Sequence, residues 1–133
     1  MPPSGRYLLD TNIITALIKG DPRVLAQLEA HLDDGVYLCQ PVFYEAMRGL
    51  LWKNATTKIQ TLERLRLRLG WFQLLESDWE QAGVLWAQAV SHGRQLADID
   101  LLIAALALRQ DAIVVTDDQD FDALPVKREN WRA

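Results

Sequence analysis

The sequence predicts a three-layer α/β/α fold, with a short, mainly parallel sheet covered on both faces. Three observations carry this. "RYLL", "GVYLCQP" and "AIVVT" are continuous apolar runs rather than alternating ones, as strands buried on both faces require. Helical patterns separate these runs, which is the arrangement that builds parallel crossovers. The chain has 133 residues, half of them hydrophobic, which suits one domain (1–133) with a sizeable core. An all-helical fold is the competing reading, because the strands are few and short.

Each element has its own signal. "RYLL" is a buried strand that stops at Asp10. A helix from about Asn12 to Lys19 is ended by Gly20. Asp21-Pro22 opens the next, with Asp as N-cap and Pro at the first helical position. Val24, Leu25, Leu28 and Leu32 are its apolar stripe. "GVYLCQP" is the second strand, and Pro41 opens a helix that carries Glu45 and runs to about Lys53. Thr56 or Thr57 starts a helix with Ile59, Leu62, Leu65 and Leu69 on one face. "WFQLLE" reads as a strand. Ser77 and Glu80 fit a capping box, followed by Trp79, Ala82, Leu85, Trp86 and Ala89 at helical spacing. His92-Gly93 ends that helix. "LADIDLLIAALAL" is a helix bound for the core, although two acids, Asp98 and Asp100, stand before its apolar run. "AIVVT" is a buried strand, "LPVK" a short one, and "ENWRA" an aromatic tail.

Composition excludes several classes. No repeat, low-complexity tract or linker is visible. The lone cysteine, Cys39, rules out an internal disulfide and suits a reducing cytosol. "MPPSGRYLLD" lacks a secretory pattern, and Leu101–Leu108 is far too short to span a bilayer, so a cytoplasmic protein without a membrane partner is expected. A net charge of −4 argues against a general nucleic-acid coat protein. It leaves a nucleic-acid enzyme open, because clustered catalytic acids contribute to it.

The acids fall in a pattern. In such a sheet the strand C-termini and the N-termini of the following helices share one edge, where ligand sites gather. Asp10 follows the first strand and Glu45 lies early in the helix after the second. Asp98 and Asp100 open a helix, and Asp117 and Asp118 follow the last long strand. Each acid has a structural role open to it. Asp10 can close an Asx turn, Glu45 can pair with Arg48 at i+3, and Asp98 can be an N-cap with Asp100 in the first turn. Convergence on one rim is what these roles leave unexplained. Carboxylates crowded together repel unless a cation neutralises them. An oxygen-only ligand set suits a hard cation such as Mg²⁺ or Mn²⁺. No His/Cys cluster suggests zinc; His31 and His92 are isolated and read as structural.

"YLLDTNI", "YEAMRG", "DLLIAALAL" and "VVTDDQDF" resemble, in order and over nearly the whole chain, the PIN-domain family. Within it, the likeness is to the VapC-type toxins of bacterial type II toxin–antitoxin systems. The resemblance implies a compact α/β/α fold and a metal-dependent ribonuclease acting on single strands. It assigns the site to Asp10, Glu45, Asp100 and Asp118. Asp117 stands beside the fourth position, which many members fill with asparagine. Thr11, Asn12 and Thr116 match the polar residues flanking the family's site. Asp98 is an extra acid, and Asp120 resembles a structural acid rather than a ligand. The resemblance also implies a homodimer and a cognate antitoxin whose tail covers the acidic cleft.

On this reading Asp10, Asp100 and Asp118 hold one or two Mg²⁺ or Mn²⁺ ions, with Glu45 either a ligand or the orienter of the attacking water. RNA also requires cations. Arg64, Arg66 and Arg68 stand close together in "LERLRLRLG", with Lys53 and Lys58 upstream. Arg48, one turn from Glu45, is the foremost candidate for a phosphate contact. A solvated helix face or a protein interface is the other reading of this cluster. Trp52, Trp71 and Phe72 read as core. A receiver domain is disfavoured, because the middle strand ends in Gln40 rather than a phospho-accepting aspartate. An aspartyl phosphatase is disfavoured by Asn12, which stands where a second acid belongs. A catalytically silent PIN-like module that binds RNA or protein is the remaining alternative.

Overall fold

The computed structural model describes residues 5–133. The first four residues of "MPPSGRYLLD", which enter the expectation about a leader, lie outside it. The elements run β1 (Arg6–Leu9), α1 (Thr11–Ile18), α2 (Pro22–His31), β2 (Val36–Cys39), α3 (Gln40–Trp52), α4 (Thr56–Arg68), β3 (Gly70–Phe72), α5 (Glu76–Ser91), α6 (Asp98–Gln110), β4 (Ala112–Val115), a 3-10 turn (Gln119–Ala123) and β5 (Arg128–Glu129).

The five strands form one parallel sheet in the order β3-β2-β1-β4-β5. Tyr7 pairs with Val36 on one side of β1 and with Ile113 on the other. The chain therefore builds outward from β1 through β2 to β3, then returns to place β4 against the far side of β1. The carboxyl ends of β1 and β4 flank the point where the winding reverses, which is where open α/β sheets bind ligands. Leu8, Leu9, Leu38, Cys39, Val114 and Val115 are all buried, as the continuous apolar runs predict.

Helix α6 is the apolar spine. Every residue from Leu101 to Ala107 is buried, so it is covered on all sides. It packs against α5 as an antiparallel hairpin, clamped at one end where Arg109 grips Asp78 with bonds of 2.8 and 3.0 Å. Arg109 also donates to the Gln73 carbonyl. Asp78 is only 1% exposed. Burial alone would raise its pKa, but the Arg109 guanidinium and the Leu75 N–H outweigh this and hold it below the usual carboxylate range.

Several local expectations are corrected. The α5 cap is not Ser77 with Glu80: Asp78, turned inward to Arg109, accepts from the Leu75 N–H, so the helix starts at Glu76. Of the α5 stripe only Ala82, Leu85 and Ala89 are buried, while Trp79 and Trp86 stand half in solvent. Asp98 is not the N-cap of α6; Ala97 is, without a side-chain bond. The last strand is Arg128–Glu129, not "LPVK". Leu124 is buried, and pairing to β4 begins only past Pro125, where the Lys127 carbonyl takes the Val114 N–H. Trp52 is not core: as the last residue of α3 it is 87% exposed, whereas Phe72 is buried and Trp71 partly so. His31 is structural, as expected, with its ring stacked on Trp131 and edge-on to Tyr7.

Candidate metal centre

Asp10 stands at the end of β1 and caps α1, its Oδ1 accepting the Thr11 N–H at 2.8 Å. Oδ2 accepts from the Thr116 hydroxyl at 2.7 Å and the Asn12 amide at 3.2 Å. Its neighbours Leu9 and Ile13 are fully enclosed, and Asp10 itself is 4% exposed. Burial raises its pKa first; the Thr116 and Thr11 bonds oppose this, and the charges of Glu45 and Asp118 add to it.

Thr116 is fully buried at the end of β4. Its oxygen donates to Asp10 and accepts from Asn12 Nδ2 at 3.1 Å and the Asp118 N–H at 3.0 Å, so its hydrogen-bonding capacity is filled. Asn12 Oδ1 takes the Asp117 N–H at 3.3 Å. The residues expected to flank the site, Asn12 and Thr116, thus tie the start of α1 to the loop after β4.

That loop separates the two adjacent aspartates. Asp117 turns outward into a 2.7 Å ion pair with Arg132. Asp118 caps the 3-10 turn, accepting the Asp120 N–H at 2.9 Å, and faces Asp100. Carboxylate oxygens of Asp100, Asp118 and Asp120 lie within 4.8 Å of one another. Asp120, expected as a structural acid, thus stands beside Asp100 and Asp118. Its signal was the Asp-x-Asp spacing of a cap, in which Asp118 Oδ1 accepts the Asp120 N–H and keeps the two acids close.

Asp100, in the first turn of α6, shows the electrostatic consequence. Its pKa is pushed up to about 7, by burial first and then by the charges of Asp10, Asp118, Glu45 and Asp120. Those five acids feel one another across four segments of chain. Asp10 is held deeper than the other acids, with its oxygens already engaged. Asp98 is exposed and borders a recess with Trp79, Gly83 and Trp86, away from the cluster.

The donor set fits a divalent cation. It is oxygen-only and anionic, and oxygens on opposite sides of a hard cation stand about 4–5 Å apart, twice a bond of about 2.0–2.6 Å. The oxygens of Asp100, Asp118 and Asp120, all within 4.8 Å of one another, lie inside that limit.

Among the arginines, Arg48 lies 3.6 Å from Glu45 and stacks over Tyr44. Arg66 lies over the Phe43 and Trp71 rings, and Arg68 faces Glu29 at 3.6 Å. Arg66 and Arg68 are thus occupied within the chain. Arg64 forms no ion pair with the acids among the described residues.

The PIN domain model matches residues 7–127. Ribonuclease VapC1 of Haemophilus influenzae is 30% identical over 114 residues, covering 83% of this chain and 84% of the relative. Ribonuclease VapC11 of Mycobacterium tuberculosis is 35% identical over 91 residues, covering 67% of this chain and 66% of that one. Among solved structures, VapBC2 from Rickettsia felis, bound to a DNA fragment from its promoter, superposes with a TM-score of 0.86 at 26% identity. That match covers 94% of this chain and 98% of the other. VapBC-1 from nontypeable Haemophilus influenzae gives 0.83 at 26% identity, over 96% and 98%.

Proposed function

Because the chain belongs to the PIN-domain family, we propose that it is a metal-dependent endoribonuclease, the toxin of a type II toxin–antitoxin pair, formed by one domain spanning residues 1–133. The observation that carries this reading is the carboxylate cluster of Asp100, Asp118 and Asp120, backed by Asp10 and Glu45 at the winding reversal of the sheet.

The cation, Mg²⁺ or Mn²⁺, would be held by Asp100, Asp118 and Asp120, with Asp10 behind them. When bound, it supplies charge neutralisation at the phosphate and a more acidic attacking water. This chain's residues do the rest. Thr116 and Asn12 fix the Asp10 carboxylate and the loop that carries Asp118. Helix α6, buried on all sides, holds Asp100 rigidly. Glu45, partly exposed and facing solvent from α3, orients the water and takes its proton on a carboxylate oxygen. Arg48, beside Glu45, contacts RNA phosphate. No side-chain nucleophile is required.

Relatives named as ribonucleases and neighbours solved as VapBC complexes support the substrate and the antitoxin partner. A homodimer is supported by Trp79, Trp86 and Val90, a half-exposed apolar stripe on α5. Among the described residues no helix is long and apolar enough to cross a membrane; the cytoplasm as place of action is part of the proposal. The test is cleavage of purified RNA with Mn²⁺. Asp10→Asn and Asp100→Asn should each abolish it, and full activity in both would overturn the assignment. A silent binding module would show no cleavage in the unmodified protein and no tight Mn²⁺ site by calorimetry.

A further inference from the structure

Among the described residues, the Thr11 hydroxyl is the only buried side-chain polar atom without a hydrogen-bond partner. Thr11 lines a cleft of about 150 Å³ between α1, α3 and α4. Lys19, just past α1, Lys53, just past α3, and Lys58, in the first turn of α4, line the same cleft. None of the three forms an ion pair among the described residues. Glu45 is the only acid on the cleft, and it is already engaged by Arg48. Three ammonium groups against one carboxylate make this a cationic spot on a chain of net charge −4. Ammonium groups gathered without a counter-ion repel one another, and an anionic ligand relieves that repulsion.

We infer that this cleft is a subsite for a phosphodiester group of single-stranded RNA, next to the one that is cleaved. Lys19, Lys53 and Lys58 hold its charge, while the Thr11 hydroxyl is enclosed beneath the cleft and does not reach the ligand. The choice of RNA rests on the nuclease reading above. Glu45 belongs both to this cleft and to the acidic centre, so a strand held here lies beside the carboxylates. Ile18 and Leu50 supply an apolar wall for ribose or base. An acidic protein segment is the rival occupant; the shared Glu45 wall, which places the cleft beside the acidic centre, favours the strand that this centre would cleave.

The test is binding of a fluorescent oligouridylate, without divalent metal, over a series of salt concentrations. Lys19→Ala/Lys53→Ala/Lys58→Ala should weaken binding about tenfold or more. It should also make log affinity against log salt shallower by about 0.7 for each phosphate no longer neutralised. Lysine-to-arginine changes at the same three positions should restore the slope. All three side chains are exposed, so the thermal midpoint should stay that of the parent. Unchanged affinity and slope overturn the subsite. So does a triple variant that binds RNA normally yet loses an oligoglutamate peptide that the parent binds, since the cleft then takes acidic protein. Cleavage with Mn²⁺ is read separately: lysine-dependent RNA binding without cleavage keeps the subsite and removes the nuclease reading.

Discussion

The Thr116 hydroxyl donates to Asp10 Oδ2 at 2.7 Å, joining residues 106 positions apart. The same oxygen accepts the Asp118 N–H. One uncharged group therefore sets the distance between the acid that ends β1 and the acid that follows β4.

Thr116→Val keeps the volume and removes that group. Asp10 loses its shortest bond and the Asp118 N–H loses its acceptor, which should cost about 1–3 kcal/mol in urea unfolding. Mn²⁺ affinity should drop as well, because Asp118 is no longer held toward Asp100. A variant with parental stability and metal affinity would show that the hydroxyl positions nothing.

Asp100 makes stability depend on pH in the metal-free protein. Its carboxyl is pushed up to about 7 in the native state, whereas an unfolded aspartate titrates near about 3.9. Between those values the native state binds more protons, so stability should fall as pH rises and level off above about 7. Mn²⁺ competes with the same proton, so its affinity should rise with pH over that range. Asp100→Asn should flatten the stability profile, and parallel profiles for variant and parent would refute this origin.

Asp117 and Asp120 should separate sharply. Asp120→Asn removes a carboxylate from the cluster and should weaken Mn²⁺ binding about tenfold or more, the scale of losing a ligand's support. Asp117→Asn breaks the outer pair with Arg132 and should leave metal affinity near parental. Calorimetric titration decides, and the reverse ranking would make Asp117 the fourth acid.

Asp78→Ala should destabilise by about 1–3 kcal/mol, because it removes the acceptor of the Leu75 N–H and of the Arg109 guanidinium. The pair lies at the far end of α6 from Asp100, so Mn²⁺ affinity of the folded fraction should persist. The Asp78 contribution is present above the unfolded pKa and fades as acidification protonates the native carboxylate. A parental urea midpoint would mean that the clamp adds nothing.

The layers of the fold and most of the rim were legible because their signals are local. Asp21-Pro22 announces a helix, "AIVVT" a buried strand, and Asp100 sits directly before the longest apolar run. What was illegible depends on partners distant in sequence or on where a turn or helix happens to fall. Asp78 looks like a helix-surface acid until α6 brings Arg109 to it. Asp117 and Asp118 look equivalent until Arg132 draws one of them away. Asp120 joins the cluster only because the loop after β4 winds as a 3-10 turn. Trp52 looks like core by type, yet it falls on the last residue of α3.

The order of strands bears on when the centre is complete. Asp10 leaves the ribosome 106 residues ahead of its partner Thr116. Domains fold as units once their chain is available, so a nascent copy carries an incomplete centre until Thr116 and Asp118 have been made. On the nuclease reading, the messenger being decoded meets no finished centre until those codons have been read.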